Sequence, residues 1–328
     1  MKDKIEIPEE KLLEGIQNRN EDVLICAGSP EERCLGSIRR LAKDYKANNS
    51  FILCYSDHRN ERRRLHLEEM SQRLKIIGDC TEFKIDEEKP IPVLNSIVDK
   101  IEECVRGKAN PKISFDISTI IKWHILFLLR ALEKKDLLKG IRFLYTEPED
   151  YVTNLFQPLS FGIREIFPIP TYYGNYDLSK ESLLILMLGY EGDRAIALLE
   201  DIDPTDCLLL IPKPAYHPEW DGRTEEMNKE IINLVGKSKI EYIDSRNPVK
   251  VAIQMKKLLS NGKYATYNHI ISPLGTKPQT LGLFLYIASR PVDTNLLYAA
   301  PLKHNELFYS KGVGRTWILP FRQENEQV

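Results

Sequence analysis

Two short glycine loops, each followed at once by an acidic residue and an arginine, are the parts of this chain best suited to hold an anion. The first is Gly28-Ser29-Pro30-Glu31-Glu32-Arg33, directly after the apolar run 23–27; the second is Gly189-Tyr190-Glu191-Gly192-Asp193-Arg194, directly after 183–188. A glycine at a tight turn before a helix presents free backbone N–H groups and the positive end of the helix dipole, which favour a phosphate or carboxylate. Arg33 and Arg194 then have two readings. They reach such an anion, or they pair with the carboxylate directly before them, Glu32 or Asp193, which also suits a helix start. A third loop, Ser272-Pro273-Leu274-Gly275-Thr276-Lys277, sets a flexible backbone, a hydroxyl and a cation at one expected helix start. It lacks the GxxxxGK[ST] spacing of a Walker loop. Its counterpart, Asp116-Ile117-Ser118-Thr119, keeps the hydroxyls without a glycine, and Asp116 adds a carboxylate able to hold a ribose hydroxyl. An ordinary helix N-cap explains that stretch equally well.

Acid–base chemistry has thinner support. His217, Glu219 and Asp221 follow one strand-like run, and Asp57 with His58 follow another, so His58, His217 and Glu219 are the catalytic candidates. Their spacing matches no established metal motif, and no metal is expected. Tyr145, Tyr172, Tyr173 and Tyr176 suit stacking on a base or packing at a domain interface. GxGxxG is absent from both first turns, so no dinucleotide cofactor is expected, and no other cofactor is implied.

The elements that must position these loops repeat. Gly28 and Gly189, Glu32 and Asp193, and Arg33 and Arg194 are each 161 residues apart. Phe51 and Leu208, Met70 and Met227, and Ser118–Thr119 and Gly275–Thr276 are 157 apart, while Tyr145 and Tyr298 are 153 apart. Offsets that drift in small steps with order kept are what a tandem duplication with short indels leaves. In the first half, strands are expected at 23–27, 51–55, 113–117 and 141–145, with helices over 31–45, 60–74, 94–105 and 120–138. In the second, strands are expected at 183–188, 207–211, 239–243, 268–272 and 294–299, with helices over 191–201, 223–236, 248–260 and 277–289. Short apolar strands alternating with helices imply an α/β fold: two Rossmann-like, mostly parallel-sheet halves. Their expected bounds are 1–151 and 183–320, joined by a Pro- and Tyr-rich linker or crossover at 152–182 and followed by a polar tail, 321–328, expected to fray. In open parallel sheets, ligands bind beyond the strand carboxyl ends, where strand order reverses.

Composition narrows the class. The chain has 328 residues, 42% hydrophobic and 29% charged, which suits globular domains. Its formal net charge of −2 argues against bulk nucleic-acid binding. The densest basic run, 59–64, is followed by Glu68 and Glu69 and reads as a solvated helix with i,i+4 ion pairs. Six cysteines without a CxxC pair read as reduced thiols, and no signal peptide or membrane span is evident, so a cytoplasmic location is expected.

The short glycine loop after the first strand, and the strand ending in Ser272-Pro273-Leu274-Gly275-Thr276-Lys277 before a helix, resemble the CARF and related Rossmann-like sensors of prokaryotic defence. The resemblance rests on Gly28, Arg33, Ser118 and Thr119 in one half and Gly189, Arg194, Gly275, Thr276 and Lys277 in the other. It implies a nucleotide or oligonucleotide messenger bound across a two-fold axis, here between two duplicated lobes; Ser29 and Asp116 complete the expected set. The first half departs from it by lacking Gly-Thr-Lys, and no effector domain follows, so a protein partner would carry the output. The chain is therefore expected to be a sensor or regulatory subunit, rather than an enzyme, in antiviral defence. The alternatives are a metal-independent phosphodiesterase acting on the same ligand class and a structural partner of a separate effector.

Overall fold

The computed structural model describes residues 9–13, 20–55, 60–151, 159–260, 262–289, 294–305 and 310–321. The chain divides into two compact units: Glu10–Tyr151 with Glu306–Pro320, here the N-terminal unit, and Val152–Asn305 with both chain ends, the C-terminal unit.

In the N-terminal unit, β1 (Lys11–Leu12) and β2 (Asn20–Ala27) precede a short 3₁₀ turn and α1 (Gly36–Arg39). There follow β3 (Lys46–Tyr55), α2 (Glu61–Ile77), β4 (Asp79–Ile85), α3 (Ile91–Val105), β5 (Ile113–Asp116), α4 (Lys122–Lys134), β6 (Ile141–Thr146) and β7 (Asp150–Tyr151). The C-terminal unit contains β8 (Ser160–Pro168), β9 (Ser182–Met187), α5 (Gly192–Ile202), β10 (Asp206–Pro212), α6 (Arg223–Met227), α7 (Lys229–Val235), β11 (Ile240–Ile243), α8 (Pro248–Leu259), β12 (Asn268–Pro273), α9 (Lys277–Ala288) and β13 (Thr294–His304). The chain then returns to the N-terminal unit as β14 (Ser310–Lys311) and β15 (Thr316–Leu319).

Both large sheets are mostly parallel and share one strand order. The N-terminal sheet runs β4-β3-β2-β5-β6-β15-β1, and the C-terminal sheet runs β11-β10-β9-β12-β13-β8. In each, order reverses between the first and fourth of the five consecutive parallel strands (β2 and β5, β9 and β12), and an antiparallel strand lies beyond the fifth. Long apolar runs explain the central strands, because a parallel strand covered on both faces needs apolar side chains on each. On one face of the N-terminal sheet, Leu24, Cys26, Ile52, Cys54 and Leu144 pack against Cys34, Leu35 and Ile38, and against Met70 and Leu74 of α2. On the matching face of the C-terminal sheet, Leu184, Leu186, Leu209, Ile211 and Leu297 pack against α5 and α7.

Those faces fix the register and shift part of the alignment by one residue. Cys26 pairs with Ile52 and Leu186 with Leu209, so matching the core faces puts Cys26 over Leu186, 160 apart, when Ile52 lies over Leu209, 157 apart. By the same ladders, Ser114 lies over Ile270, 156 apart, and Arg142 over Asn295, 153 apart. Gly28 therefore matches Leu188 rather than Gly189, and Thr119 matches Gly275. A one-residue slip would turn every side chain to the other face, so the buried face decides.

Several expected bounds differ. The helix expected over 31–45 is a 3₁₀ turn, Glu32–Leu35, and the four-residue α1. The stretch 152–182, expected as a linker, supplies β8, and 310–319, expected within the second half, forms β14 and β15 of the N-terminal unit. Among the described residues, no helix is long and apolar enough to cross a membrane.

Candidate functional site

In the C-terminal unit, the strand carboxyl ends gather four loops: 188–191 after β9, 213–222 after β10, 244–247 after β11 and 274–276 after β12. Gly189 sits at the reversal point. A Cβ there would run into the Leu274 carbonyl, so only glycine lets the two loops approach this closely. The Asn228 amide donates to the Gly189 carbonyl at 2.6 Å and to Thr224 at 2.7 Å. Asn228 is 1% exposed, and its Oδ1, aimed toward Gly192 at the start of α5, has no hydrogen-bond partner among the described residues. Ser272, at the end of β12, is fully buried, and its hydroxyl likewise has none among the described residues. The same edge holds two more unpaired buried nitrogens, His217 Nε2 and Arg246 Nε.

Arg246 pins the β10 loop, donating to the Ala215 carbonyl at 2.9 Å and the Tyr216 carbonyl at 2.5 Å. His217 packs on Trp220 with ring centroids 4.2 Å apart, and its Nδ1 lies 4.0 Å from Glu219 Oε1. That separation exceeds a hydrogen bond between acid–base partners. His58 lies outside the described residues.

The Gly-Thr-Lys loop is largely taken up by its own helix. Thr276 and Gln279 form a capping box: Thr276 Oγ1 accepts from the Gln279 amide at 3.2 Å, and Gln279 Oε1 accepts from the Thr276 amide at 2.9 Å. Thr276 Oγ1 also donates to the Ser245 carbonyl at 2.8 Å, and Pro278 has no N–H to offer. Gly275 lies against Leu188 and Gln279, and Lys277 is half-buried at the first helical position. The start of α5 differs, because its N-cap residue, Glu191, makes no side-chain cap.

Both arginines are buried, and neither pairs with the carboxylate directly before it. Arg33 holds Glu31 through two bonds, 2.8 and 3.2 Å, and donates to the Thr146 carbonyl at the end of β6 at 3.3 Å. Arg194 holds Glu191 at 2.8 Å, donates to the Ala299 carbonyl of β13 at 2.9 Å, and lies 5.0 Å from the Tyr298 ring centroid. Residues one apart on a helix point in different directions, whereas residues three apart share a face, which selects Glu191 over Asp193. Glu32 instead pairs with Arg39 at 2.6 Å, and Asp193 is exposed. Burial works against the charge of Arg33, but Glu31 and the oxygens around it outweigh that, so its pKa is raised well above the ordinary value. Thr146 and Ala299 are 153 apart, the offset of the fifth strand, so both arginines bolt a helix start to one point of the fold.

The corresponding end of the N-terminal sheet is filled by its own side chains. Asp116 accepts from the Ser37 and Ser118 hydroxyls and from the Ser118 amide at 2.8 Å. Burial raises its pKa, while these donors and the nearby Arg33 pull it back down. Ser118 Oγ accepts from the Thr146 amide at 2.8 Å, and Thr119 Oγ1 donates to the Ala27 carbonyl at 2.8 Å. A Cβ on Gly28 would overlap the Leu67 side chain, and the buried Ser29 accepts from the Glu31 amide at 3.1 Å. Of the tyrosines, Tyr145 and Tyr172 are buried, whereas Tyr173 and Tyr176 are exposed.

The structure thus brings Gly189, Gly275, Thr276 and Lys277 to one edge, with Arg194 beneath it, and places Gly28, Ser29, Arg33, Asp116, Ser118 and Thr119 in the other unit. Sequence reading missed Asn228, Glu31 and Glu191. Asn228 carries no motif; its role comes from being lodged against Gly189. Ser272 stood in the quoted loop, but only tertiary packing leaves its hydroxyl unpaired.

No family model matches the chain, and no curated protein matches it. Among solved structures, the cytoplasmic domain of a prokaryotic cation chloride cotransporter is similar over 88% of this chain and 99% of that one, with 12% identity and a TM-score of 0.27.

Proposed function

We propose that the C-terminal unit binds a phosphorylated small molecule, a nucleotide or oligonucleotide messenger, at the carboxyl edge of its sheet, and that the protein acts as a sensor or regulatory subunit. The observation that carries this reading is the pair of unpartnered buried groups beside the strand reversal, Asn228 Oδ1 and Ser272 Oγ. Leaving a buried polar atom unpaired costs about 1–3 kcal/mol, so such atoms beside a strand reversal favour a ligand or ordered water that supplies the missing bonds. The uncapped start of α5 suits the anionic part of that ligand, and Asn228 Oδ1 suits a hydroxyl or amide donor on it. In the N-terminal unit the residue matching Ser272 by strand register is Asp116, whose carboxylate is already engaged, so that unit serves as the filled counterpart. The wide His217–Glu219 separation favours binding over turnover, with the output passed to a separate effector protein.

Native mass spectrometry of the purified protein should reveal a retained phosphorylated metabolite. Calorimetric titration with ATP and with a cyclic oligoadenylate should then show binding that Asn228→Asp weakens at least tenfold. Lys277→Ala should weaken it by about 1–3 kcal/mol, the range for a charge-assisted bond. Absence of binding by the parent protein, or equal affinity in these variants with their melting unchanged, rejects the site.

A further inference from the structure

The loop after β10, residues 213–222, concentrates rings and cations at the carboxyl edge of the C-terminal sheet. Trp220 is 4% exposed and meets two neighbours: the His217 ring, 4.2 Å away between centroids, and the Arg223 guanidinium, 5.6 Å from the indole centroid. The Arg246 guanidinium lies 5.2 Å from the Tyr216 ring centroid. Rings and cations packed in this way hold one another, and a nucleobase joins such a stack through the same forces. His217 is the open end of the stack, because its side chain is 30% exposed with Trp220 behind it.

The loop is also held ready. The Lys213 amide donates to the Ile243 carbonyl at 2.8 Å, the Ser245 hydroxyl to the Pro214 carbonyl at 2.5 Å, and the Ala215 amide to Asp221 Oδ1 at 3.1 Å. The Trp220 amide donates to the His217 carbonyl at 2.9 Å. A loop pinned this way has little freedom left to lose on binding. Two of its polar atoms stay outside this network. His217 Nε2 and Arg246 Nε are buried and have no hydrogen-bond partner among the described residues. Arg246 meets the loop at the Tyr216 carbonyl, the peptide that leads into His217.

The five-residue helix α6 joins this loop to the start of α5. Its rise is about 7–8 Å, and Asn228, the next residue, donates to the Gly189 carbonyl. A Cβ on Gly192 would lie 2.6 Å from the Met227 carbonyl, so the end of α6 abuts the start of α5. An anion at the α5 start and a planar ring at the β10 loop are therefore separated by the reach of one nucleotide.

Resting on the phosphate site proposed above, we infer that the β10 loop is a base-recognising subsite. The nucleobase stacks on the His217 ring, and Arg246 Nε donates to an acceptor on the edge of the base. His217 then serves as a surface, and no proton transfer is asked of it. The ligand class narrows from phosphorylated metabolites in general to nucleotides, and His217 and Arg246 become the residues that set this preference.

The test is calorimetric titration of the full chain with AMP and with ribose 5-phosphate, which carry the same phosphate and differ by the base. The parent protein should bind AMP at least tenfold more tightly. His217→Ala should reduce that preference to threefold or less, with ribose 5-phosphate affinity and melting unchanged, whereas His217→Phe, which keeps a ring, should retain most of it. Arg246→Lys, which keeps the charge and loses Nε, should weaken AMP several-fold and leave ribose 5-phosphate alone. Equal affinity of the parent for both ligands overturns the base subsite and leaves the phosphate site standing, as does a preference for AMP that His217→Ala does not change. Failure of both ligands to bind the parent overturns the two readings together.

Discussion

Arg33 and Arg194 are charges removed from water and neutralised on the spot, so their roles are tested by removing one partner and then both. Arg194→Met strands Glu191 inside the protein and should destabilise the C-terminal unit by roughly 3–5 kcal/mol in chemical denaturation. Adding Glu191→Gln to that variant should recover a large part of the loss, because the buried side chain that loses its arginine is then uncharged. A double variant no more stable than Arg194→Met would mean the arginine acts through its bond to Ala299 instead. His124 of α4 poses the opposite problem. It is fully buried beside Tyr55, 3.1 Å from the tyrosine hydroxyl, and burial pushes its pKa down to about 3. The folded state therefore resists a proton that the unfolded state accepts below about pH 6.5. The stability due to neutral His124 is fully present above that pH and is lost progressively as pH falls toward 3. The slope from this group should approach ~1.4 kcal/mol per pH unit, and a His124→Phe variant should flatten it over pH 4–6. An unchanged slope in the variant would assign the acid sensitivity elsewhere.

At the scale of elements, caps and loop contacts explain why the Gly-Thr-Lys motif reads as a grip yet functions first as a helix start. Thr276 closes α9 and ties it to the loop after β11 through Ser245, and Gln279 reaches the Asp244 carbonyl at 3.1 Å from the same turn. Thr276→Ala removes the cap oxygen and the Ser245 bond together, so it should cost about 1–2 kcal/mol, measurable as a shift in the denaturation midpoint. A loss confined to ligand binding, with stability unchanged, would return Thr276 to the role of a ligand contact. Of the basic run 59–64, Arg59 lies outside the described residues and Arg63 is buried, donating to the Tyr55 carbonyl at 3.4 Å. Arg64 pairs with Glu61 and Glu68 along α2, and these exposed i,i+3 and i,i+4 pairs add little stability.

For the molecule as a whole, the returning segment sets which residues fold together. A chain ending after Asn305 keeps every strand of the C-terminal sheet, loses β15 from the N-terminal one and loses β14 from its two-stranded pairing with β7. Hydrogen exchange on that truncated protein should show protection lost across β6 and β1, with β9 and β12 still protected. Equal protection of β6 in both proteins would show that the N-terminal sheet does not need its sixth strand. The two units share one strand order, and the correspondence extends to an antiparallel sixth strand in each large sheet, β15 in one and β8 in the other.

The sequence by itself determined the central strands, most of the long helices, the α/β class and the repeated rhythm, because apolar runs and helical spacing are local records of burial on two faces. It also placed the glycine loops at strand ends. It passed over β4, whose polar Asp79-Cys80-Thr81-Glu82 start suits a sheet edge, and β8 and β15, whose partners lie more than 100 residues away. The one-residue register at Gly28, the true partners of both arginines and the unpaired atoms of Asn228 and Ser272 were decided only by tertiary structure. Each depends on which face of a strand or helix is buried against a distant segment, and spacing along the chain does not encode that.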